Sequence, residues 1–76
     1  MEELLKFILE SLVENKNAIK IECKEDNSSI IYEVEVDEND VGKIIGKNGK
    51  VAQAIRSILH SCGQKEGKKV IFKIKR

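Results

Sequence analysis

The sequence predicts an α+β fold in which three helices cover one face of a three-stranded mixed sheet. Three observations carry it. Two neighbouring segments alternate apolar and polar residues across a short polar turn, the pattern of an antiparallel hairpin. Three other segments place apolar residues at three- and four-residue steps, the period of an amphipathic helix. A last alternating segment follows two of those helices, so it should lie parallel to the second strand, because parallel neighbours need a right-handed crossover. With 76 residues, the chain has the length of one domain, residues 1–76, that buries only about 60% of its unfolded surface. Little core is left for an enclosed active site.

The first helix is expected over residues 2–14. Leu4, Leu5, Ile8, Leu9, Leu12 and Val13 form its apolar stripe, and Asn15-Lys16-Asn17 ends it. Ile19, Ile21 and Cys23 then alternate with Lys20, Glu22 and Lys24, and a turn follows at Glu25 to Ser29. Ile30, Tyr32, Val34 and Val36 alternate with Ile31, Glu33 and Glu35, which completes the hairpin. Asp37 can cap the next helix, with Asp40 three residues on, where the helix dipole favours acids. These acids therefore receive a structural reading and no chemistry.

Val41, Ile44 and Ile45 make a short helix that a glycine turn interrupts. From Lys50 the period resumes with Val51, Ala54, Ile55, Ile58, Leu59 and Cys62, ending at Gly63. Gln64 to Gly67 reads as a loop. Val70, Phe72 and Ile74 alternate with Ile71, Lys73 and Lys75 as the last strand. Glu33 and Glu35 should then stand beside Lys73 and Lys75 on the open face of the sheet and neutralise them. Phe7, Tyr32 and Phe72 all read as core residues.

The chemistry concentrates at Val41 to Lys50. Gly46-Lys47-Asn48-Gly49 sets two glycines around two polar residues, between two helical segments. Glycine admits positive φ and close approach of another backbone. A phosphodiester fits such a turn, because its amides and the next helix's N-terminus carry partial positive charge, with Lys47 and Lys50 beside them. Charge is also unevenly distributed. Residues 1–40 hold twelve of the thirteen acids and four bases, a net −8, whereas residues 41–76 hold one acid and ten bases, a net +9. One side of the fold should be electropositive despite an overall charge of +1.

Other classes fit poorly. Two cysteines and one histidine are too few for a four-ligand metal site, so no metal or other cofactor is expected. Cys23 and Cys62 read as small buried hydrophobes, which fits a reducing, cytoplasmic setting. Glu2, Glu3 and Glu10 give the N-terminal stretch the wrong charge for a signal peptide, and no apolar run has membrane-spanning length. The glycine run lacks the Gly-Lys-Ser/Thr of a nucleotide-binding loop, and His60 has no nucleophile or carboxylate partner in sequence, so no enzyme is expected and no residue is catalytic.

Val41-Gly42-Lys43-Ile44-Ile45-Gly46-Lys47-Asn48-Gly49-Lys50 resembles the helix, GXXG loop and helix of the KH domain. The extra helix and strand ahead of that core resemble the type II KH fold. In length, and in its Lys65-Glu66-Gly67-Lys68-Lys69-Val70 lead into the last strand, the chain is similar to the small bacterial single-KH proteins of the KhpA family. The resemblance implies single-stranded RNA as partner, its backbone clamped over about four nucleotides. On that reading Gly46, Lys47, Asn48 and Gly49 form the clamp, Lys43 and Lys50 add charge at its rims, and Gly42 lets a base or sugar approach the helix. Val41, Ile44 and, on the polar face of the following helix, Arg56 are the groove candidates, with core packing the alternative for Val41 and Ile44, whereas Ile45 is expected to face the core. The resemblance further implies self-pairing or pairing with a larger Jag-type RNA-binding protein, and a link to growth or envelope regulation through bound transcripts. The rival reading is a protein-interaction module that uses the two GXXG helices for dimerisation, with RNA binding secondary.

Overall fold

A computed structural model describes residues 2–64 and 67–75. Helix α1 spans Glu2–Leu12, strand β1 Lys20–Glu25, strand β2 Ser29–Glu35, helix α2 Val41–Ile45, helix α3 Lys50–Gln64 and strand β3 Lys69–Ile74. Single 3-10 turns at Lys16–Ala18, Glu38–Asp40 and Lys47–Gly49 punctuate the connections. Lys65 and Glu66, which fall in the loop expected after the last helix, lie outside the described residues.

The sheet has the order β1-β2-β3, with β1 antiparallel and β3 parallel to the central strand, as the crossover argument requires. Asp26 closes the hairpin. Its Oδ1 accepts from the amides of Ser28 at 2.8 Å and Ser29 at 2.7 Å, so a short side chain substitutes for backbone pairing in the turn. The central strand alternates cleanly: Ile30, Tyr32 and Val34 are buried while Ile31, Glu33 and Glu35 are half-buried on the open face. The helices pack over the buried side, and Leu5, Leu9, Val34, Ile44 and Leu59 are all 0% exposed. Each such burial is worth about 1.5–3 kcal/mol against leaving the side chain in water.

Four expectations fail for physical reasons. Phe7 is 68% exposed, because a turn of 100° per residue puts it on the side of α1 opposite Leu5 and Leu9. On α3 the buried stripe is Ala52, Ile55, Leu59 and Gly63; Ala54 and Ile58 stay exposed. Gly63 does not end its helix. A Cβ there would overlap the Val70 side chain, so the glycine lets α3 sit close on β3. The left-handed glycine of this connection is Gly67, with φ +71°. Cys23 pairs in register with the buried Tyr32 yet is exposed, since β1 is a sheet border that the helical layer hardly covers. Cys62 is half-buried, and both thiols are free.

On the open face Glu33 stands directly opposite Lys73, as expected. No ion pair joins them among the described residues, and the carboxylate that does reach a lysine in this region is Glu25, 2.8 Å from Lys68.

Candidate nucleic-acid interface

Five residues are too few for a self-sustaining helix, so α2 is held by what touches it. Ile44, 0% exposed, anchors it in the core, and its two ends are built in opposite ways.

At the C-terminal end the chain leaves helical geometry at once. Gly46 takes φ +75° and Gly49 φ +75°, and Asn48 stands between them at φ 57°, an unfavourable region that asparagine tolerates better than most residues. A Cβ on Gly46 would overlap the Val51 side chain and lie 2.9 Å from the Val51 amide nitrogen. The turn closes on itself through Gly46 N to Gly42 O at 2.9 Å and Gly49 N to Gly46 O at 3.2 Å, while the Lys50 amide donates to Lys47 O. The amides of Lys47 and Asn48 have no hydrogen-bond partner among the described residues. Both side chains are exposed, as is Lys50 at the start of α3, and neither Lys47 nor Lys50 forms an ion pair among the described residues. Two adjacent open amides, two unpaired ammonium groups and the positive end of a fifteen-residue helix thus converge on one turn.

At the N-terminal end the side chains of Asp37, Asp40 and Lys43 are all engaged. Asp37 caps the 3-10 turn, accepting from the Asn39 amide at 2.9 Å, and takes a second bond from Asn15 Nδ2 at 3.0 Å. Asp40 is 2% exposed and reaches across the fold, where it accepts from the amides of Glu14 at 3.2 Å and Asn15 at 3.0 Å, just beyond α1. Lys43 completes the cluster, 2.9 Å from Glu14 Oε1 and 3.3 Å from Asp40 Oδ1. The two donated amides hold the Asp40 carboxyl below its ordinary value, and the Asn39 amide does the same for Asp37. The Glu14 carboxylate, with Asp40 behind it, raises Lys43.

The residues singled out from sequence therefore separate. Gly46, Lys47, Asn48, Gly49 and Lys50 share one surface. Lys43, expected at its rim, already has two carboxylate partners. Ile44 has no surface to offer a groove, and Ile45, expected inside, is half-buried instead. Val41 is half-buried and lines an open depression with Glu35, Val36, Glu38 and Lys75. Gly42 is exposed, and a Cβ there would meet nothing within 4 Å, so packing gives no reason for the missing side chain. Arg56 lies along the α3–β3 seam, its Nε donating to Phe72 O at a long 3.5 Å. Sequence reasoning missed Asp40, whose position three residues after Asp37 fits an ordinary acid in a first helical turn; its bonds to residues 25 and 26 positions away leave no local signal.

Comparison with known proteins agrees with this geometry. Residues 2–74 match the family described as KhpA/KhpB, KH domain. A Caldanaerobacter subterraneus subsp. tengcongensis protein named RNA-binding protein KhpA is 43% identical over 74 residues, covering 97% of this chain and 99% of that one. A Borreliella burgdorferi protein of the same name is 42% identical over 72 residues, covering 95% and 88% respectively. Among solved structures, Aquifex aeolicus Era bound to GDP·AlF4− superposes with a TM-score of 0.67 at 20% identity, over 95% of this chain and 28% of that one, a likeness of fold. The chain belongs to the KhpA/KhpB family of KH domains.

Proposed function

We propose that this protein binds single-stranded RNA as a single type II KH domain, gripping the sugar-phosphate backbone at Gly46–Gly49. The observation that carries the reading is the pair of unpartnered amides at Lys47 and Asn48, beside the unpaired Lys47 and Lys50 and held open by left-handed backbone. A phosphate oxygen satisfies such donors without side-chain rearrangement. The names of the relatives, RNA-binding protein KhpA, point the same way. Gly42 offers bare helix surface to a base or sugar, Val41 and the half-buried Ile45 give apolar contact, and Arg56 borders the groove. Phe72 and Tyr32 are buried, so base stacking on aromatics contributes nothing there.

With two lysines at phosphates, one domain binds weakly, on the order of micromolar, or about −8 kcal/mol. Pairing with a second copy, or with a larger Jag-type RNA-binding protein, multiplies apparent affinity. Leu4, Phe7 and Ile58, which are 37%, 68% and 43% exposed, supply the helical layer with apolar surface for such pairing. The protein then acts in the cytoplasm as a post-transcriptional regulator, a binding module rather than a catalyst. The test is titration of the folded protein with random unpaired oligoribonucleotides at low ionic strength. Saturable binding is expected, and its absence across monomer and natural assembly overturns the reading.

A further inference from the structure

The clasp at the N-terminal end of α2 spends more polar groups than a five-residue helix needs. An acid at the start of a helix ordinarily serves the helix's own amides. Asp40 serves none of its own: both oxygens accept amides from the segment after α1, at 3.2 Å from Glu14 and 3.0 Å from Asn15. Its side chain is only 3% exposed, so those bonds are shielded from competing water. Asp37 ties the Asn15 side chain to the same turn at 3.0 Å, and Lys43 bridges Asp40 to Glu14 from the next turn of α2. The clasp thus fixes how α2 sits against the end of α1. Five residues, all helical, separate Asp40 from the positive-φ turn at Gly46, so a change in the attitude of α2 is transmitted to the loop.

We infer that Asp40 is the positioning residue of the loop: by holding the amides of Glu14 and Asn15 and pairing with Lys43, it sets the angle at which the open amides of Lys47 and Asn48 meet a phosphate. This rests on the RNA reading of the loop. On this account Lys43 is a strut of the clasp rather than a phosphate ligand, and Asp40 touches no RNA.

Two measurements decide it. In the first, Asp40→Asn is compared with Ile30→Val, a core change in β2 away from the clasp, each titrated with a short unpaired oligoribonucleotide at a temperature where it is folded by circular dichroism. Asparagine keeps one acceptor oxygen and sets an NH2 against the other amide. Asp40→Asn is expected to bind at least about fivefold more weakly, with shifted Gly46 and Gly49 amide resonances, while Ile30→Val binds like wild type with those resonances in place. Equal affinity loss in both variants, or wild-type affinity in Asp40→Asn, overturns the inference. The second uses the wild-type protein and so stands even where Asp40→Asn does not fold: saturating oligonucleotide should slow hydrogen exchange at the Glu14 and Asn15 amides, and unchanged exchange there overturns the inference. A Lys47→Asp, Asn48→Asp double variant run alongside separates the two claims. If it binds RNA like wild type the loop reading itself fails, whereas its loss of binding together with a silent Asp40 defeats only the positioning role.

Discussion

The two ends of the five-residue α2 both carry lysine and asparagine, yet they are opposites. At one end Asp37, Asp40, Lys43, Glu14 and Asn15 satisfy one another. At the other, Lys47, Asn48 and Lys50 are left facing water, with Asn48 at positive φ between two positive-φ glycines. A lysine's role here is set by whether the fold has already given it a carboxylate. The difference between Lys43 and Lys47 is therefore one of neighbours, not of residue type.

The strongest way to break this contrast is to reverse the charge of the open end. Lys47→Asp with Asn48→Asp should abolish binding to unpaired RNA, a loss of more than about thirtyfold or 2 kcal/mol, with the melting temperature little changed. Retained binding removes the contrast. Next in size is Gly46→Ala, which forces an L side chain to φ +75° and against Val51. With ψ 176° this backbone is essentially reserved for glycine and costs roughly 1–3 kcal/mol for such a residue, so urea unfolding should show a loss of at least about 1 kcal/mol. Gly42→Ala sharpens the comparison in the opposite sense. Alanine in a helix interior is worth about 0.5–1 kcal/mol over glycine, so this variant should melt higher while binding RNA more weakly. Gain in both, or loss in both, contradicts a role for the bare helix surface.

Acid should act on the closed end. Because Asp37 and Asp40 are held below 3.8, the unfolded chain takes up their protons more readily than the folded one. Their contribution to stability is present above that value and is lost as pH falls through the depressed folded values. The urea midpoint should hold from about pH 7 to about pH 5 and fall below about pH 4, less steeply in Asp40→Asn. The smallest effect is in salt. The slope of log affinity against log salt should be shallower by about 0.7 in Lys47→Gln and in Lys50→Gln, and unchanged in Lys43→Gln.

How much of this was readable beforehand follows from how local each cause is. Strand pairing, the parallel crossover and the glycine turn rest on alternation, spacing and composition within short windows, and all three stand as read. Which side of a helix is buried depends on what lies across from it. Hence the exposed Phe7, the buried Ile44 and the shifted stripe on α3 escaped a periodic reading with apolar residues to spare. Gly63 looked like a helix end because glycine marks both ends and close approaches, and only the position of Val70 distinguishes them. The Asp40 clasp joins residues 25 and 26 positions apart, so no window along the chain contains it.

Strand β3 is an outer strand of the sheet, and among the described residues no strand stands beside the backbone donors and acceptors of its far border. Such a border invites another chain to add itself, the first step towards fibrils. Lys69 and Lys73 lie in the strand and Lys75 directly follows it, so a second copy approaching edge to edge would bring like charges together. The basic surplus in the second half of the chain therefore also opposes edge-to-edge stacking of copies at this unsealed border.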